Sequence, residues 1–178
     1  MKEEIIIAGF GGQGVMSMGQ LLAFAGMKQG KEVSWLPSYG PEQRGGTANV
    51  SVVISDSKVG SPIIDSPTTV ILLNNPSFEK FEKKVVPGGN ILTNGDLVNL
   101  PCKRNDISLF SIQATTIAEK LGNHRVAGMV ILGAFIEKTG ILSKESLVEA
   151  LLHVLGKEKQ HLIPVNIAAL ESGMEMVL

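Results

Sequence analysis

Glu4-Ile5-Ile6-Ile7-Ala8-Gly9-Phe10-Gly11-Gly12-Gln13-Gly14-Val15 is the stretch that decides how this chain folds. Ile5 to Ala8 form an unbroken apolar run, the pattern of a central strand covered on both faces. The glycine cluster from Gly9 to Gly14 ends that strand and satisfies the pattern G-x-G-x-x-G. From Val15 to Gln29, Met16, Leu21, Leu22, Phe24, Ala25 and Met27 recur at near-helical spacing, and Gly30 follows as a C-terminal stop. A strand, a glycine turn and a helix therefore follow one another.

Outward from this unit, Glu32 to Leu36 reads as a second strand closed by Pro37, and Pro37 to Gly46 as a long loop. Thr47 to Ser55 places Ala48, Val50, Val52 and Ile54 on one side, an alternation that fits an antiparallel strand. Its polar residues Asn49 and Ser51 are expected to face a neighbouring subunit. Thr69 to Leu73, Asn90 to Thr93 and Ile107 to Ile112 read as further strands, with a helix from Ser77 to Lys84 capped by Ser77. Helices over 116–121, 126–138, 143–155 and 163–176 follow, separated by Gly122-Asn123, Gly140 and Gly156. The order predicts one domain over residues 1–178 of α/β class, a three-layer α/β/α sandwich on a mainly parallel sheet with a Rossmann-like glycine turn after the first strand.

Composition removes several function classes. A net charge of −1 from 16 basic and 17 acidic residues lacks the footprint of a nucleic-acid binder or a polybasic membrane contact. The apolar run 126–136 falls short of the roughly 18 to 20 residues that span a bilayer, so no membrane association is expected. The charged start, Met1 to Glu4, does not resemble a secretory leader, and the expected location is cytoplasmic. A single cysteine, Cys102, excludes an internal disulfide and a Cys-ligated cluster within this chain. Lys103 and Arg104 beside it would lower a thiol pKa, but no sequence-local base accompanies them, and an inert role is expected. His124, His153 and His161 lie at no metal-ligand spacing and are read as ordinary surface or boundary residues.

Two segments carry chemistry. Gly11, Gly12, Gln13, Gly14 and Val15 offer backbone N–H groups at a helix start, where an anion gains on the order of 0.3 to 1 kcal/mol from the helix dipole. A dinucleotide site would need a carboxylate at the end of the second strand; that strand ends Ser34-Trp35-Leu36-Pro37, with Glu32 at its beginning. The alternative is a glycine turn that only lets strand and helix pack closely. No Gly-Lys-Ser or Gly-Lys-Thr follows, which argues against a P-loop, and Asn94-Gly95-Asp96 reads as a turn and not as a magnesium motif. The second segment, Ser38-Tyr39-Gly40-Pro41-Glu42-Gln43-Arg44-Gly45-Gly46-Thr47, holds the only tyrosine and a glycine-flanked arginine suited to a carboxylate or phosphate. Both segments follow strands and are expected to open on the same carboxyl edge of the sheet. An interface loop with Arg44 in a structural ion pair is the competing reading.

The two motifs together, Gly9 to Val15 and then Pro37 to Glu42 with Arg44-Gly45-Gly46, resemble the gamma subunit of 2-oxoacid:ferredoxin oxidoreductases. Ile54-Ser55-Asp56, Pro87-Gly88-Gly89, Ala114-Thr115, Ile117-Ala118, Gly122-Asn123 and Leu132-Gly133-Ala134 fall in the same order, so the resemblance covers nearly the whole chain. It departs at Gly128, where the family commonly has asparagine, and at Pro67-Thr68-Thr69, which lacks an acidic residue often found there.

The resemblance implies a complex that decarboxylates a 2-oxoacid on thiamine diphosphate, passes electrons singly through [4Fe-4S] clusters to ferredoxin, and forms an acyl-coenzyme A. Alpha and beta subunits would hold thiamine diphosphate and Mg, a ferredoxin-like delta subunit the clusters, and this chain would catalyse nothing alone. It further implies a coenzyme A contact here, over Gly11 to Val15, Ser38, Tyr39, Arg44, Gly45, Gly46 and Thr47. The alternatives are a scaffold that only braces the other subunits, with Tyr39 and Arg44 as interface anchors, or a free-standing nucleotide-binding protein. The 2-oxoacid is chosen mostly by the other subunits, with the compact length leaning toward 2-oxoglutarate.

Overall fold

The computed structural model describes residues 1–39 and 47–178. Its sheet comprises β1 (Lys2–Phe10), β2 (Glu32–Tyr39), β3 (Thr47–Ser55), β4 (Thr69–Leu72), β5 (Asn90–Asn94) and β6 (Ser108–Ile112), in the order β2-β3-β1-β4-β5-β6. β1, β4, β5 and β6 pair in parallel, whereas β3 runs antiparallel to both β1 and β2. The alternating strand Thr47–Ser55 is thus the one that breaks the parallel order, as its pattern predicts.

The helices are α1 (Val15–Lys28), α2 (Asn75–Phe81), α3 (Ala114–Lys120), α4 (Ala127–Thr139), α5 (Lys144–Leu155) and α6 (Ile163–Glu175). β1 is buried on both faces, which is why its apolar run does not alternate. Ile5 and Ile7 pack into the larger core with Leu22 of α1 and Val130 and Phe135 of α4. Ile6 and Ala8 face the other side, against Phe78 and Phe81 of α2. The result is the expected three-layer arrangement, with most helices on one face.

Close backbone approach sets the layers. On α1, a Cβ at Gly19 would lie 2.7 Å from Val50 Cγ1 and one at Gly26 2.8 Å from Val33 Cγ2, so the helix settles directly onto β3 and β2. These glycines, with Met18, fill the buried stripe of α1, while Met27 points outward. α4 and α6 cross at Gly133 and Gly173, where added Cβ atoms would run into the carbonyls of Leu170 and Val130 respectively.

Two sequence expectations need correction. β2 does not end at Pro37 but continues through it to Tyr39, paired with β3 throughout. As an edge strand it tolerates proline, since part of its N–H row has no neighbour to serve. Helix α2 is capped by Asn74 and not by Ser77: the Asn74 side chain accepts the Ser77 N–H at 2.8 Å, and Pro76 sits in the first turn, where its missing donor costs nothing.

Connections from β1 and β4 leave in opposite directions. α1 carries the chain from β1 over one face toward β2, and α2 carries it from β4 over the other face to β5. The boundary between β1 and β4 is therefore a topological switch point, where open α/β sheets place a ligand crevice beyond the carboxyl ends of the strands.

Candidate ligand-binding site

The turn after β1 is held from within. Gln13 folds back so that its Oε1 accepts the Phe10 N–H at 2.6 Å and its Nε2 donates to the Leu73 carbonyl at 3.1 Å. Gly12 and Gly14 take φ of +89° and +83°, the left-handed region that glycine enters without a Cβ penalty. Gly9 serves packing instead: a Cβ there would sit 2.6 Å from Gln13 Oε1 and 3.0 Å from Leu73 Cβ. Gly14 caps α1 with no side-chain hydrogen bond, and the first intrahelical bond shown at this end is Met18 N–H to Gly14 carbonyl at 2.9 Å. The N–H groups of Val15, Met16 and Ser17 precede it and face the crevice end of the helix.

Beyond these strand ends lies a cavity of about 550 Å³ lined by Gly12, Gln13, Gly14, Leu73, Asn94, Thr115, Arg125 and Gly128, among others. Asn94, 3% exposed, donates Nδ2 to Thr115 Oγ1 at 2.9 Å. Asp96 accepts both the Thr116 N–H and its hydroxyl at 2.8 Å. The turn after Asn94 thus brings the Asp96 carboxylate onto the first turn of α3. Across the cavity, Asn123 accepts the Arg125 N–H at 3.0 Å and holds a single 3₁₀ turn, His124–Val126, whose Val126 is buried in the core. That anchoring leaves His124 and Arg125 on the cavity wall. Among the described residues, Arg125 has no ion-pair partner and no carboxylate lines the cavity. The electrostatics favour an anion.

A second hollow of about 340 Å³ lies on the other side of the turn, lined by Phe10, Gly11, Gly12, Gly14, Val15 and Tyr39 among others. Tyr39 is 73% exposed. Phe10 pairs with Thr47 and Gly9 with Ala48, which in turn pairs with Tyr39. The residues flanking 40–46 therefore lie at the same carboxyl rim as the glycine turn, while Glu32, paired with Ser55, lies at the opposite edge. No carboxylate ends β2 for a ribose, since Tyr39 stands there.

Of the sequence-predicted site residues, Gly11, Gly12, Gly14, Val15 and Tyr39 come together around this second hollow, and Gln13 joins Gly12 and Gly14 at the first. The Val15 side chain is buried, so only its backbone faces the rim. Ser38 and Thr47 belong to strands β2 and β3 and line neither hollow. Arg44, Gly45 and Gly46 lie outside the described residues. Sequence reasoning missed Asn94, Thr115, His124 and Arg125 as wall residues; the one signal for them was the pairing of Ala114-Thr115 and Gly122-Asn123 in order along the chain.

Elsewhere, burial pushes the Cys102 thiol pKa up, and Arg104 is engaged by Asp106 and by the carbonyls of Glu82 and Val85. Among the described residues no group of three His, Cys, Asp or Glu side chains is placed to hold a metal ion. No helix among them is long and apolar enough to cross a membrane.

The fold and rim define an α/β protein with an anion-favouring crevice at its switch point. The profile of the family described as pyruvate ferredoxin/flavodoxin oxidoreductase matches residues 4–176, and the chain belongs to that family. Among relatives, the ketoisovalerate oxidoreductase subunit VorA of Methanothermobacter thermautotrophicus is 44% identical over 97% of this chain and 36% of its own length. The 2-oxoglutarate synthase subunit KorC of Methanocaldococcus jannaschii is 35% identical over 99% of this chain and 94% of its own. The chain thus spans about a third of the VorA relative and almost all of KorC. The gamma subunit of a keto/oxoacid ferredoxin oxidoreductase from Geobacter sulfurreducens superposes with TM-score 0.83 at 30% identity, covering 98% of both chains. A 2-oxoglutarate:ferredoxin oxidoreductase from Magnetococcus marinus, with 2-oxoglutarate, coenzyme A and succinyl-CoA bound, matches at TM-score 0.90 and 26% identity over 99% of this chain and 31% of that one.

Proposed function

We propose that the chain is the gamma component of a 2-oxoacid:ferredoxin oxidoreductase and that its carboxyl rim contributes to the coenzyme A site. The observation that carries this reading is the crevice itself: helix N–H groups and Arg125 at a switch point, with no carboxylate among the described lining residues. A ligand with phosphates but no need of a ribose carboxylate suits it, and the Magnetococcus relative binds coenzyme A. The complex as a whole converts a 2-oxoacid, coenzyme A and two oxidised ferredoxins to acyl-coenzyme A, CO₂, two reduced ferredoxins and a proton.

With a single cysteine, this chain is assigned no cluster, and by the resemblance the thiamine diphosphate and Mg are assigned elsewhere in the complex. Those belong to alpha, beta and ferredoxin-like delta partners in the cytoplasm. The 2-oxoacid pocket lies with those partners as well. Trp35, Leu36 and Tyr39, exposed on the edge strand β2, favour a bracing role against such neighbours beside ligand contact.

Purification from the native host with identification of accompanying chains tests the assembly; a chain that travels alone overturns it. In the assembled enzyme, Arg44→Ala is expected to raise the KM for coenzyme A while decarboxylation in its absence persists. An unchanged KM removes Arg44 from the site, and equilibrium binding that detects no coenzyme A leaves only the bracing role.

A further inference from the structure

The face of the sheet that carries α2 ends in a cluster of lysines. α2 and the 3₁₀ turn Glu82–Lys84 that extends it close with Glu79-Lys80-Phe81-Glu82-Lys83-Lys84, and Lys80, Lys83 and Lys84 are exposed. Phe81, 5% exposed, is anchored in the smaller core with Val70 and Leu72. Its ring holds two of the ammonium groups: Lys80 Nζ lies 5.2 Å and Lys84 Nζ 5.5 Å from its centroid. A fourth exposed lysine joins from the segment after β5, where the Lys103 N–H donates to Glu82 Oε1. Arg104 Nη1 donates to the Glu82 and Val85 carbonyls and pins that segment to the end of α2.

The carboxylates on these two segments do not cancel the charge. Glu82 is buried against the Lys103 N–H and Asp106 is taken up by Arg104, which leaves Glu79 beside four lysines. None of the four has an ion-pair partner among the described residues. Lys80 and Lys84 stand four positions apart, a spacing at which like charges on a helix repel, although the chain as a whole has a net charge of −1. The patch is also remote from the ligand crevice. Asn74 caps α2 at the carboxyl rim, whereas the Val86 N–H reaches the Pro67 carbonyl just before β4, so Lys83 and Lys84 lie toward the amino edge of the sheet.

Permanent interfaces are depleted of lysine at their cores, and the uncharged run Val33 to Ser38 of β2, with Trp35 and Leu36 exposed, suits that use better. Exposed lysines instead draw in an acidic partner and speed its arrival, an effect that salt weakens. In the reaction assigned to the complex, one macromolecule arrives and leaves with each electron: ferredoxin. We infer that Lys80, Lys83, Lys84 and Lys103 form a docking face for an acidic surface of that carrier, an inference that rests on the oxidoreductase reading above. With Phe81 buried, the patch offers no aromatic face on which a base could stack, which favours a protein over a single-stranded nucleic acid.

Steady-state kinetics of the native complex with the ferredoxin of its host and, separately, with methyl viologen, a small cationic acceptor, test the face. Lys80→Gln/Lys83→Gln/Lys84→Gln is expected to raise the KM for ferredoxin about tenfold at low ionic strength, to approach wild type at high salt, and to leave turnover with methyl viologen unchanged. Lys103→Gln alone is expected to raise that KM severalfold, and Lys120→Gln/Lys157→Gln, at exposed positions elsewhere, to leave it unchanged. A ferredoxin KM that the triple variant does not alter, or that the Lys120/Lys157 variant raises equally, overturns the inference while the oxidoreductase reading stands. Equal loss with both acceptors overturns it in favour of a structural role, and loss of polyuridylate binding with an unaltered ferredoxin KM overturns it in favour of a nucleic acid. A wild-type complex that oxidises no 2-oxoacid with either acceptor removes both readings.

Discussion

Gln13 and Leu73 are joined by a hydrogen bond of 3.1 Å from the Gln13 Nε2 to the Leu73 carbonyl, which closes the end of β1 against the end of β4. The same side chain accepts the Phe10 N–H, so one amide ties both sides of the switch point. Gln13→Leu removes both bonds, leaving the exposed Phe10 N–H to water and the partly buried Leu73 carbonyl unserved, at a cost of about 1–3 kcal/mol. Thermal unfolding is expected to fall by about 2–4 °C per kcal/mol for a chain of this size. An unchanged melting temperature would mean that the turn is held by its glycines alone.

The α4–α6 crossing makes Gly173 far less replaceable than Gly11. A Cβ on Gly173 meets the Val130 carbonyl, a backbone atom that cannot swing aside, whereas a Cβ on Gly11 meets nothing within 4 Å. Gly173→Ala should cost at least the roughly 1–3 kcal/mol of an overpacked core. Gly11→Ala should stay within about 0.5 kcal/mol of wild type, as exposed changes without special geometry do. Chemical denaturation of the two variants side by side checks the contrast.

Asp56 sits between Lys31, whose Nζ lies 2.6 Å from Oδ1, and the Met1 amine, and these hydrogen-bonded cations hold its pKa at about 2. A carboxyl whose folded pKa lies below its unfolded value stabilises the protein above the unfolded value and loses that contribution as pH falls toward the folded one. The Lys31–Asp56 pair should therefore add to stability at neutral pH and fade between about pH 4 and pH 2. Asp56→Asn is expected to lower the melting temperature at pH 7 and to converge with wild type near pH 2. A constant difference across that range would assign the effect to something other than ionisation.

Cys102 should be a slow thiol. Burial raises its pKa, so little thiolate is present near neutral pH. Reaction with a disulfide reagent at pH 8 is expected to be several times slower in the native protein than after denaturation. Equal rates would show that the segment around it opens freely.

Local pattern made the sheet readable where one stretch carried the whole signal. The apolar run of β1, the glycine turn and the alternation of β3 each state their environment within about ten residues. The strand through Pro37 was not readable, because tolerance of proline depends on β2 having one neighbour only, a fact of topology. Asn74 and Ser77 are both capping residues, and only the extended backbone of Asn74 selects it as the cap. The crevice wall was hidden for a further reason. Arg125 stands more than a hundred positions after Gly14, and no periodicity links residues that meet only when α4 has packed beside α1.

The reversed direction of β3 has a consequence for how this protein can vary. Because β2 arrives at the rim from which that strand departs, Tyr39 and Thr47 are both pinned by ladder partners, at Ala48 and Phe10. Length changes inside either strand would slip that register and turn its side chains to the wrong face, so variation of this ladder is confined to substitutions that keep the pleat.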